Sequence, residues 1–103
     1  MYKCRVEKRV CHNVNDINDY TALQYELELA TAPQPGEVLK DGQWFSGPLI
    51  KVIWAVDEDC FHCRVEDEFP FSQGYETYSH EWIVSSYQQD GWSLGADKIV
   101  RFD

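Results

Sequence analysis

No stretch of this chain approaches the roughly 20 consecutive apolar residues that a bilayer-crossing helix needs. Its longest apolar run, residues 48–56, is interrupted by Lys51. The opening Met1-Tyr2-Lys3-Cys4-Arg5 lacks the apolar core and small-residue cleavage site of a secretory signal, so the expected setting is cytoplasmic, away from membranes. Cations are scarce: nine Lys and Arg face eighteen Asp and Glu, a net charge of −9. A field of that sign repels phosphate backbones and argues against nucleic-acid binding. Glycine-rich phosphate loops, nucleophile elbows and helical HExxH pairs are missing, as are internal repeats and low-complexity tracts. No catalytic residue can be named on that basis, no cofactor is expected, and a non-enzymatic role is favoured.

What is present suffices for a single folded domain spanning residues 1–103. Hydrophobic residues make up 44% of the chain and aromatics 15%, enough ring surface to build a core without cross-links. In a reducing compartment the four cysteines, Cys4, Cys11, Cys60 and Cys63, are expected as thiols.

Alternation of apolar and charged residues through positions 2–11, with Cys4, Val6 and Val10 on one side, predicts a half-buried strand. Lys8 interrupts the apolar side, a break that an edge strand tolerates. The Asn/Asp cluster from Asn13 to Asp19 reads as a loop. Leu23, Tyr25, Leu27 and Leu29 alternate with polar neighbours and predict a second strand, ended by Pro33, Pro35 and Gly36. A hairpin around Asp41-Gly42 follows. Residues 49–56, apolar on both faces apart from Lys51, predict a central strand. A turn at Asp57-Glu58-Asp59 then returns a partner strand over residues 60–66. After a loop around Gly74, Ser79 caps a helix whose stripe is Trp82, Ile83 and Tyr87, stopped by Gly91 with Trp92 packing back. Residues 98–102 read as a last strand. The expected fold is therefore α+β: a curled antiparallel sheet or open barrel of about five to six strands, carrying one helix in the C-terminal half.

Cys60-Phe61-His62-Cys63 has the spacing of half a zinc site. On an extended strand, however, positions i and i+3 point to opposite faces, so these sulfurs diverge and no metal ligand is assigned. A zinc-stabilised domain stays as the third reading. Tyr25, Trp44, Trp54, Phe61 and Trp82 either fill the core or line a cleft for a small, cationic ligand.

Between Asp57 and Asp90 nine carboxylates oppose one cation, Arg64. Asp57, Glu58, Asp59, Glu66, Asp67 and Glu68 sit at the two ends of one return strand and are the candidate surface for a basic protein partner. Self-association is a second expectation, because one helix covers one face of a sheet and leaves the other for a second copy.

The segments Pro35-Gly36-Glu37-Val38-Leu39, Leu49-Ile50-Lys51-Val52-Ile53-Trp54, Glu81-Trp82-Ile83 and Asp90-Gly91-Trp92 together resemble small bacterial α+β proteins carried on mobile, integron-type gene cassettes. That resemblance implies a compact, cytosolic, often self-associating domain. It brings no activity and no site.

Overall fold

The computed structural model describes residues 1–42 and 44–95. Among them the chain forms nine strands and one helix: β1 (Tyr2–Asn13), β2 (Asp16–Leu29), β3 (Val38–Asp41), β4 (Trp44–Pro48), β5 (Lys51–Ala55), β6 (Cys60–Arg64), β7 (Phe71–Gln73), β8 (Glu76–Tyr78), α1 (His80–Gln89) and β9 (Ser93–Leu94). Five strands make one open sheet in the order β5-β6-β1-β2-β9, while β3–β4 and β7–β8 are separate hairpins. The fold is thus mixed α+β, mostly sheet with one helix. The described strands do not close into a barrel. The strand expected at residues 98–102 lies outside the described residues.

The long β1–β2 hairpin organises the rest. Its register sets Cys4 opposite Leu27, Val6 opposite Tyr25 and Lys8 opposite Leu23. Period-two alternation then collects the apolar side chains of both strands on one face. The loop expected over Asn13–Asp19 shrinks to a turn at residues 14–15, since the strands run on to Asn13 and resume at Asp16. Short polar side chains make that tightness affordable: Asn13 Oδ1 accepts the Asn15 N–H at 2.9 Å, and Asp16 Oδ1 accepts the Asn18 N–H at 3.0 Å.

Two strands exchange the places expected of them. β6 pairs in parallel with β1, with Cys4 beside Phe61 and Val6 beside Cys63, and antiparallel with β5. β1, expected at an edge because of Lys8, therefore lies in the middle of the sheet. β5, expected at its centre, is marginal. Apolarity on both faces suits a buried strand, but here it flanks an edge, and Ile50, Trp54 and Val56 stay exposed. A parallel β1–β6 pair also makes the sheet mixed rather than antiparallel. The loop expected around Gly74 is instead the β7–β8 hairpin.

The helix follows its sequence signals closely. Ser79 Oγ accepts the Trp82 N–H at 3.2 Å, and Glu81 lies in the first turn, where the helix dipole favours a carboxylate. Gly91, at φ 101°, takes the left-handed conformation that ends the helix. Its N–H reaches Gln88 O at 3.2 Å, and the Trp92 N–H reaches Tyr87 O at 3.1 Å, the bond pair of a Schellman ending. Trp92 then packs against Tyr25 and Tyr87, with ring centroids 5.7 and 5.6 Å away. Ile83 is buried and Tyr87 half-buried, but Trp82 is 51% exposed, lying on Tyr78 instead of the sheet. The inward stripe is narrower than the sequence suggested.

The core joins Cys4, Val6 and Val10 of β1, Leu23 of β2, Cys63 and Val65, Leu39 and Leu49 from either side of the β3–β4 hairpin, and Ile83 and Trp92. The other face of β1 and β6 carries Lys3, Arg5, Glu7 and Arg9 beside Cys60, His62 and Arg64. Among the described residues no helix is long and apolar enough to cross a membrane.

Candidate functional site

At one end of the sheet, strand register alone gathers an acidic rim. Lys3 stands beside Cys60 on one side and Glu28 on the other, and Arg5 stands opposite Glu26. Cys60 also faces Ala55, so the β5–β6 turn at residues 56–59 projects from this same end. Between these elements lies a bowl of about 540 Å³, lined by Lys3, Cys4, Arg5, Glu26, Leu27, Glu28, Glu58 and Cys60. Glu26 and Glu28 come from β2 and Glu58 from the turn, so carboxylates stand on two walls. Arg5 Nε donates to Glu26 Oε1 at 3.1 Å. Glu58 is fixed by the buried His62 imidazole. Asp59, at φ 52°, turns the chain tightly and leaves Asp57 and Asp59 exposed beside Glu58.

The six carboxylates singled out from sequence do not form one surface. Asp57, Glu58 and Asp59 precede β6, whereas Glu66, Asp67 and Glu68 follow it at its far end. There, two of the three are spent inside the molecule. Asp67 takes a bidentate pair from Arg9, at 3.0 and 3.2 Å, and a third bond from Arg64 Nη2 at 3.0 Å. Glu68 Oε2 accepts from Lys8 Nζ at 3.0 Å and from the Tyr87 hydroxyl at 2.5 Å, while Lys8 also donates to the Tyr87 oxygen at 2.8 Å. Burial works against the Lys8 charge, but Tyr87 and Glu68 outweigh it and hold the ammonium above its ordinary range. Glu26 and Glu28, which the sequence reading passed over as the polar side of a strand, belong to the rim. The β1–β2 register that places them there is what sequence alone did not supply.

Nor do the four of the five aromatics whose side chains are described, Tyr25, Trp54, Phe61 and Trp82, converge on a cleft. Tyr25 packs on Trp92, Trp54 lies 4.7 Å from Phe61, and Trp82 sits on Tyr78, giving separate clusters. Trp44 falls in β4, and its side chain lies outside the described part of the structure. The cysteines behave as strand geometry requires. Cys63 faces the core with its sulfur 3.6 Å from that of Cys4, and Cys60 points to the opposite side beneath the bowl. The adjacent Cys4 sulfur first, and then burial, raise the Cys63 thiol, so it stays protonated at neutral pH. All four cysteines are buried and free. Among the described residues no group of three or more His, Cys, Asp and Glu is placed to hold a metal ion.

Histidines that look scattered in the sequence meet at the other end of the hairpin. His12, near the end of β1, stacks on His80, the first residue of α1, with centroids 3.9 Å apart and planes 16° from parallel. His80 Nε2 bonds Thr21 Oγ1 at 2.8 Å, and His12 Nδ1 bonds the Asp19 carbonyl at 3.2 Å. Burial first, and then the facing His12, lower the His80 pKa, while the Glu81 and Asp19 carboxylates oppose that shift. His80 thus binds its proton less readily folded than unfolded. Its contribution to stability is complete above the ordinary histidine pKa of about 6.5 and is lost as pH falls toward the lower folded value. The melting temperature should drop over that range, and His80→Gln should flatten the drop. An unchanged acid limb in His80→Gln would assign the effect elsewhere.

No protein-family model, curated protein or solved structure matches this chain.

Proposed function

We propose that this protein is an interaction module, without catalytic chemistry, whose acidic sheet end binds a basic protein partner. The observation that carries the reading is the fate of the cations. Arg5, Lys8, Arg9 and Arg64 are all held by carboxylates of the same chain. Lys8, Arg9 and Arg64 are spent on Glu68 and Asp67 at the far end, whereas at the bowl Asp57, Glu58, Asp59, Glu26 and Glu28 outnumber the two cations there, Lys3 and Arg5. Such a patch steers a cationic surface toward it and contributes more to association rate than to contact energy. The bowl suits a lysine or arginine side chain between Glu28 and Glu58. Free buried thiols fit a reducing, cytoplasmic setting. A small-ligand site would use the bowl rather than an aromatic cleft, since Tyr25, Trp54, Phe61 and Trp82 fall into separate clusters.

An arginine-rich peptide titrated into the full chain serves as a defined probe. Binding should weaken steeply as salt rises, because exposed charges are screened over about 8 Å at physiological ionic strength. Replacing Glu28 and Glu58 together by glutamine should weaken binding at low salt by about tenfold, on the order of 1.4 kcal/mol. Salt-independent binding, or equal binding by the double variant, would remove the proposal.

A further inference from the structure

Cations form the floor of the bowl and carboxylates form its walls. Lys3 and Arg5 lie two residues apart on β1, so their side chains leave one face of the sheet about 7 Å apart. β2 sets Glu28 and Glu26 directly opposite them, and β6 sets Cys60 and His62 on their other side. Glu58, held by His62, brings a carboxylate to that second side. Lys3 is exposed. Arg5 bonds Glu26 through Nε, and the two terminal guanidinium nitrogens take no part in that contact. A ligand of purely positive charge is attracted by these walls and repelled by this floor. One that carries a carboxylate beside its cation is complemented at both.

We infer that the bowl takes the C-terminus of its basic partner, where a terminal lysine or arginine carries an α-carboxylate and a side-chain cation on one residue. The inference rests on the basic-partner reading and adds which part of the partner is bound. The α-carboxylate sits over β1, shared by the Lys3 ammonium and the Arg5 guanidinium, whose planar fork matches a carboxylate. The side-chain cation extends between Glu28 and Glu58. An internal basic segment brings no such anion to the floor. At about 540 Å³ the bowl lies within the roughly 300–1,000 Å³ range of small-ligand sites, room for a terminal residue.

Two N-acetylated peptides of one arginine-rich sequence ending in arginine, one a free acid and one a C-terminal amide, test this by calorimetry on the full chain. The amide carries one more positive charge, so a merely acidic surface binds it as well as the acid or better. The inference reverses that order. At low salt the acid should bind about tenfold more tightly, the contribution of one charge-assisted contact. Lys3→Gln combined with Arg5→Gln should erase the preference and still bind the amide, because the carboxylate walls remain. If that double variant does not fold, Lys3→Gln alone, at an exposed position, should cut the preference to about threefold. Equal affinities or a tighter amide, with binding still weakened by salt, would overturn this inference and leave the basic-partner reading standing. A preference for the acid that persists undiminished in the folded variants would also overturn it. So would free arginine competing as well as the acid peptide, which would give the bowl to a small molecule. Failure of both peptides to bind at low salt would remove the basic-partner reading and this inference together.

Discussion

Lys8→Ala should lower the free energy of unfolding by about 3 kcal/mol, although it removes a residue that looks like a flaw in an apolar pattern. Lys8 stands mid-sheet on the core face, opposite Leu23. Its ammonium ties β1 to Glu68 after β6 and to Tyr87 on α1. The ammonium also lies 4.6 Å from the Tyr87 ring centre. Truncation leaves the Glu68 carboxylate, whose side chain is 29% exposed, without its cation in a poorly hydrated place. Removing both charges avoids that orphaned carboxylate, so Lys8→Met combined with Glu68→Gln, whose amide can still bond the Tyr87 hydroxyl, should regain most of the loss. Urea unfolding of the parent chain and both variants at neutral pH measures this. A loss below about 1 kcal/mol for Lys8→Ala would place the triad among ordinary surface ion pairs.

Leu23→Ala should cost a similar amount, about 3 kcal/mol, through lost burial and the cavity left behind. Leu23 is fully buried and belongs to the same core cluster as Val6, Val10 and Ile83. Trp82→Ala offers the contrast. Tryptophan is the larger side chain, yet half of Trp82 faces solvent and its aromatic neighbour is Tyr78 of a peripheral hairpin. Its removal should cost about 1 kcal/mol or less. Chemical denaturation of both variants settles the order, and a larger loss at Trp82 would restore the broad helix stripe expected from sequence.

Local signals in this chain were legible, and pairing between distant segments was not. Ser79, Glu81, Gly91 and Trp92 announce the start and end of α1 because capping is decided within a few residues. Alternation likewise marks β1 and β2, and strand geometry alone parts Cys60 from Cys63. Sheet order is different. The β1–β6 contact joins residues far apart in sequence, as with Cys4 and Cys63, 59 positions from each other. Nothing local distinguishes a strand that will be inserted between two others from one left at the margin. Lys8 misleads for this reason: an edge accommodates a lysine easily, but so does a central strand that supplies a carboxylate and a phenol to receive it. The acidic surface was legible as composition only. Which end keeps an excess of carboxylates follows from where Arg9, Arg64 and Lys8 point, and register decides that. Register likewise brings Glu26 and Glu28 to the turn at Asp57-Glu58-Asp59.

Backbone amide shifts recorded while an arginine-rich peptide is added would report most directly on where cations bind. The expected result is a contiguous set of salt-sensitive changes at residues 26–28 and 57–60, with Glu66, Asp67 and Glu68 undisturbed. Changes centred on residues 66–68, or none anywhere at low salt, would contradict the assignment of the acidic sheet end as the binding surface.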